Sequence, residues 1–82
     1  MNEITVLFFA TLRQRAGTKA IKIKVPETMD VGGLKQQLGR DFPDLESSLT
    51  SVLIAVNREY AFDEAILPAN AEVALFPPVS GG

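Results

Sequence analysis

Only one stretch of this chain carries a helical hydrophobic stripe, and strand-like segments lie on both sides of it. Val31, Leu34 and Leu38 recur at spacings of three and four, which sets them on one face of a helix. Asp30 stands where a carboxylate accepts from the free N–H groups of a first turn, and Phe42-Pro43 stops the run. Gly32 and Gly33 each cost about 1 kcal/mol relative to alanine, so the helix start is expected to fray. Asp44 is placed to open a second short turn carrying Leu45 and Leu49.

The flanking segments read as strands. Ile4-Thr5-Val6-Leu7-Phe8-Phe9 is β-branched and aromatic, and short enough for one. Residues 20–25 alternate, with Ile21, Ile23 and Val25 on one face and Lys22 and Lys24 on the other, until Pro26 ends them. Arg15-Ala16-Gly17-Thr18 reads as the turn between these two strands, with Gly17 free to take positive φ. They are expected to pair as an antiparallel hairpin. Residues 51–56 are strand-like, and Asn57-Arg58-Glu59 is a turn into a short strand at 60–62. Asn70 ends a further turn, and residues 72–76 form the last strand.

This order predicts an α+β fold of two layers, a mixed sheet of four to five strands with one main helix packed on one face. The first and last strands belong side by side in its centre. The expected core is Ile4, Val6, Phe8, Ile21, Ile23, Val25, Leu34, Leu38, Val73 and Leu75. Leu7, Phe9 and Phe76 then fall on the uncovered face. Small proteins always expose some apolar surface. Two phenylalanines and a leucine together exceed that scatter and read as a partner-binding patch.

Composition narrows the chemistry. The chain of 82 residues, 46% hydrophobic, suffices for one core. Its longest apolar runs, residues 6–10 and 52–56, fall far short of the roughly 20 residues that span a bilayer. No basic run precedes the first apolar patch, so a soluble cytoplasmic protein without membrane attachment is expected. Cysteine and histidine are both absent, which removes thiol catalysis, thiolate metal sites and the side chain that most often titrates near neutrality. Ser47, Ser48 and Ser51 have no histidine to activate them, and Asp41, Asp44 and Glu46 show no ligand geometry. The net charge of −2 is dispersed, with no basic block for nucleic acid. A self-sufficient enzyme is disfavoured. The last residues, Gly81-Gly82, instead carry a carboxylate on the thinnest backbone a protein can make, which another protein can enclose on both faces.

Several motifs carry a resemblance. Val6-Leu7-Phe8-Phe9-Ala10, Arg13, Gly17, Ala55-Val56-Asn57, Glu72-Val73-Ala74 and above all Phe76-Pro77-Pro78-Val79-Ser80-Gly81-Gly82 resemble, from end to end, the small subunit of molybdopterin synthase. That family of sulfur carriers has the ubiquitin-like β-grasp fold. The resemblance implies a β-grasp domain over residues 1–76 and an extended Gly-Gly tail over 77–82. One departure is Ala69-Asn70-Ala71, where the family has an Asp-Gly-Asp type turn. Asparagine can replace the glycine; the missing acidic residue at Ala71 is expected to alter a partner contact.

By this resemblance the Gly82 carboxylate is the working group. An ATP-dependent adenylating enzyme of the ubiquitin-activating type converts it to an acyl-adenylate, and sulfur from a persulfide donor system displaces AMP to leave a thiocarboxylate. The large synthase subunit receives it, and two transfers to the cyclic pyranopterin precursor build the dithiolene that later binds molybdenum. The chain itself is then a sulfur-donating, non-catalytic subunit of a heterotetrameric synthase whose catalytic residues lie in the large subunit. It binds no cofactor; ATP is used by the activating enzyme. Gly81, Ser80, Val79, Pro78 and Pro77 form the arm, about 20 Å long when extended and stiffened at its base by the two prolines. Phe9, Arg13, Tyr60 and Phe76 are carried over as partner-binding candidates. Arg13 reads equally well as a solvated charge and Tyr60 as core-edge packing. The alternatives are a thiamine-pathway sulfur carrier, though such chains tend to be shorter and lack the Phe-Pro-Pro-Val lead-in, a ubiquitin-like protein modifier, or a plain interaction module.

Overall fold

Alternation along the first strands dictates which side of the sheet is buried. In the computed structural model, which describes residues 1–78, β1 (Asn2–Phe8) sends Ile4, Val6 and Phe8 into the core. β2 (Ala20–Val25) pairs antiparallel with it, Ile4 opposite Ile23 and Val6 opposite Ile21, and leaves Lys22 and Lys24 exposed. The pairing is as expected, but the connection is not.

Instead of a tight turn at residues 15–18, a six-residue helix, α1 (Thr11–Ala16), joins the strands. Leu12 and Ala16, one helical turn apart, explain it: Leu12 is buried in the core and Ala16 packs against it. Entry is through Ala10 at φ 53 and ψ −128, a conformation L-residues seldom adopt, at a cost of about 1–3 kcal/mol. Gly17 closes the helix at φ 78, its N–H donating to the Arg13 carbonyl at 2.9 Å. The left-handed glycine was legible; the helix it terminates was not.

α2 (Val31–Asp41) presents Val31, Leu34 and Leu38 to the core. Asp30 caps it, the carboxylate accepting from Gly33 N–H at 2.7 Å. The expected fraying is contradicted. The N–H groups of Val31 and Gly32 donate to the Ala65 and Asp63 carbonyls, each at 2.9 Å, so the loop before β5 straps the helix start. Lys35 Nζ adds an ion pair to Asp63 at 2.7 Å. A Cβ on Gly33 would lie 2.5 Å from Met29 Sδ, so the glycine makes room for a packed thioether. We expect Asp30→Ala to cost about 1 kcal/mol in urea unfolding, since one first-turn donor loses its acceptor while the strapped pair keep theirs. Phe42 N–H donates to the Leu38 carbonyl at 2.8 Å, and Pro43 opens a 3-10 turn (Pro43–Leu45). Asp44 lies inside that turn rather than capping it; Leu45 and Leu49 are buried, as expected.

β3 (Leu53–Val56) and β4 (Glu59–Tyr60) are shorter than the sequence indicates and form an antiparallel hairpin. Its two-residue turn places both Asn57 (φ 49) and Arg58 (φ 72) at positive φ. β5 (Glu72–Phe76) follows a turn in which Asn70 has φ 58. Asn2 locks that turn to the start of β1. Its Nδ2 donates to the Pro68 carbonyl at 2.8 Å and its Oδ1 accepts from Asn70 N–H at 2.8 Å, which satisfies a buried amide.

The strand order is β2-β1-β5-β3-β4. β1 and β5 are parallel and every other pair is antiparallel, so the sheet is mixed, with its first and last strands adjacent as expected. All ten expected core residues enter the core or pack against it. Ala71 is fully buried as well, so at this position the side chain serves the core and not a surface contact. Among the described residues no helix is long and apolar enough to cross a membrane.

Candidate functional site: the uncovered sheet face

Strand register turns the second face of the sheet into a patterned surface. Side chains directly opposite one another on neighbouring strands stand side by side. Following the register, Ala20 on β2 lies opposite Leu7 on β1, Leu7 beside Ala74 on β5, Ala74 opposite Ala55 on β3, and Ala55 opposite Tyr60 on β4. An unbroken apolar row therefore crosses all five strands. The next row towards the C-terminal end of β5 is aromatic and aliphatic. Phe76 lies opposite Leu53 and stacks on Phe9, with ring centroids 4.7 Å apart and planes at 15°. The row on the other side is polar, with Thr5 between Lys22 and Glu72.

The face is thus divided, apolar where β5 ends and charged at its far side. Leu7, Phe9, Ala74 and Phe76 are half-buried, while Tyr60 is 76% exposed, and with Arg58 and Glu72 they line a shallow hollow. A wider groove lies on the helical side, along Gly32, Gln36 and Gly39 of α2. None of its lining residues belongs to β5.

Of the candidates read from sequence, Phe9, Tyr60 and Phe76 come together here. Arg13 does not join them. It is exposed on α1 and its side chain is not among those lining the hollow. Pro77 is half-buried and Pro78 exposed just after Phe76. Val79, Ser80, Gly81 and Gly82 lie outside the described residues. Arg58 and Leu53 were missed. Leu53 was hidden by a strand assigned only as apolar; Arg58 had a signal, since the second central residue of such a turn is normally glycine.

A mixed five-strand sheet with a central parallel pair, one long helix across one face and a C-terminal strand that runs out at an aromatic corner defines a ubiquitin-like β-grasp domain. A family model described as the ThiS family matches residues 6–82. The chain belongs to the ThiS family. The molybdopterin synthase sulfur carrier subunit of Arabidopsis thaliana is 38% identical over 80 residues, covering 98% of this chain and 83% of that protein. Among solved structures, SAMP1, the small archaeal modifier protein 1 of Haloferax volcanii, superposes with a TM-score of 0.87 at 30% identity over 99% of this chain and 100% of that one. A chain from the complex of subunits 1 and 2 of the molybdopterin-converting factor of Helicobacter pylori does so with a TM-score of 0.69 at 25% identity, covering 98% and 99%.

Proposed function

We propose that this chain is the sulfur-carrier subunit of a molybdopterin synthase, docking on its large subunit through the uncovered face and delivering sulfur from its C-terminal glycine. The observation that carries this reading is the nearly full-length likeness to curated sulfur carrier subunits, which includes the Gly-Gly arm. The relatives' description also favours a synthase over a thiazole-forming partner. The geometry is consistent in kind: the arm begins at the Phe9–Phe76 stack, so a partner seated on the aromatic corner receives the arm without a long search.

The chemistry asks little of the domain. A carboxylate resists nucleophiles because it is charged and its oxygen leaves poorly. Adenylation by a partner removes both obstacles; the outer sulfur of a partner's persulfide displaces AMP to give an acyl persulfide, and a partner thiol then cleaves its S–S bond, leaving as a disulfide and releasing the thiocarboxylate. That thiocarboxylate is a soft nucleophile. This chain has neither Cys nor His, which favours assigning the acids and bases of these steps to its partners.

Intact-protein mass spectrometry tests this directly. After incubation with ATP, the adenylating enzyme and a persulfide donor, the chain is expected to gain the mass difference between one sulfur and one oxygen, located at Gly82. An unchanged mass under conditions that load a known carrier would overturn the reading. The likeness to SAMP1 favours a second reading, a protein modifier whose activated glycine is captured by a lysine amine. Slow-migrating lysine conjugates in cells with ample sulfur would favour the modifier over the carrier.

A further inference from the structure

Arg58 sits at the second central position of the turn between β3 and β4, at φ 72. A Cβ crowds the backbone in this left-handed region, and turns of this kind favour glycine there. Retaining arginine therefore sacrifices stability that glycine would recover. Among the described residues nothing makes use of its charge. Among the described residues the only ion pair is Lys35–Asp63, so Arg58 pairs with neither Glu59 beside it nor Glu72, which shares the hollow with it. The side chain nonetheless lines that hollow next to Tyr60, at the end of the apolar row.

We infer that Arg58 is a specificity-determining contact, whose guanidinium pairs with a carboxylate on the large subunit that seats on the uncovered face. This rests on the docking role proposed for that face. Apolar contact through Phe9, Phe76 and Tyr60 is non-directional and would tolerate rotation of the partner about the aromatic corner. A charge placed off that corner, beyond the row, fixes the rotation and so the direction in which the arm enters. Arginine suits this better than lysine because its planar fork donates to a carboxylate in one orientation. The partner surface is therefore acidic opposite Arg58 and apolar opposite Phe76.

The test uses the full chain with Arg58→Gly, Arg58→Asn and Arg58→Lys, titrated against the large subunit at low and high salt. Arg58→Gly is expected to raise the melting temperature by roughly 4 °C, through release of the left-handed strain. The same variant and Arg58→Asn are expected to bind about tenfold more weakly at low salt, with a flattened salt dependence, and Arg58→Lys to fall between them and the parent. A more stable protein that binds less well is a combination that a purely structural role does not produce. Unchanged affinity in Arg58→Gly and Arg58→Asn, while Phe76→Asp still weakens binding, would overturn the role of Arg58 alone. Parent-like binding by Phe76→Asp would overturn the docking face and this inference with it. A defect confined to the adenylating enzyme would overturn the assignment of the partner.

Discussion

A chain ending at Gly81, or one carrying a single residue after Gly82, is expected to lose sulfur transfer by at least about 100-fold while unfolding at the parent temperature. The reason is geometric. One residue shifts the reacting carbon by about 3.3 Å along an extended arm, whereas a misplacement of about 1 Å already costs that much rate. Stability is untouched because, among the described residues, the last core side chain is Leu75 and the last strand ends at Phe76. Single-turnover transfer from a loaded chain, together with a thermal melt, measures both halves. Parent-like transfer by either variant would remove Gly82 from the chemistry and with it the carrier mechanism.

Replacing Phe76 with aspartate is expected to weaken association with the large subunit by about 100-fold, equivalent to ~2.7 kcal/mol. Phe76 combines the properties of an interface anchor: an aromatic ring, half-buried, held by its stack on Phe9 and flanked by Leu53. A carboxylate there loses the ring contact and must be desolvated in the bound state. In the free protein the loss is smaller, about 1 kcal/mol, since the site borders solvent. Titration calorimetry and urea unfolding separate the two effects. The neighbouring ring offers a contrast, because Phe8 points into the core and its truncation to alanine would cost about 3–5 kcal/mol of folding stability.

Local periodicity made much of this architecture readable. The alternation of Ile21, Ile23 and Val25 with lysines, and the Val31-Leu34-Leu38 stripe, each need only their own neighbours to be interpreted. What escaped detection depends on contacts between distant segments. Nothing around Asn2 announces that its amide will clasp Pro68 and Asn70. The fraying expected at Gly32 and Gly33 ignored a loop some thirty residues on that supplies both carbonyls. In α1, six residues hold one buried leucine, too short a stripe to outweigh the turn signal of Gly17. At the site, the aromatic residues were readable by type and strand phase. Arg58 carried only an indirect signal, an arginine at a turn position whose conformation suits glycine.

The parallel seam between β1 and β5 governs how the molecule must assemble. Residues 5–8 and 72–75 meet at the middle of the sheet, so the decisive contact closes a loop containing nearly all of the intervening polypeptide. Entropy for such a closure is spent before any of its reward arrives, which slows folding. The aromatic corner at which β5 ends exists only once that seam has closed, so a half-folded chain does not bring Phe9 and Phe76 together.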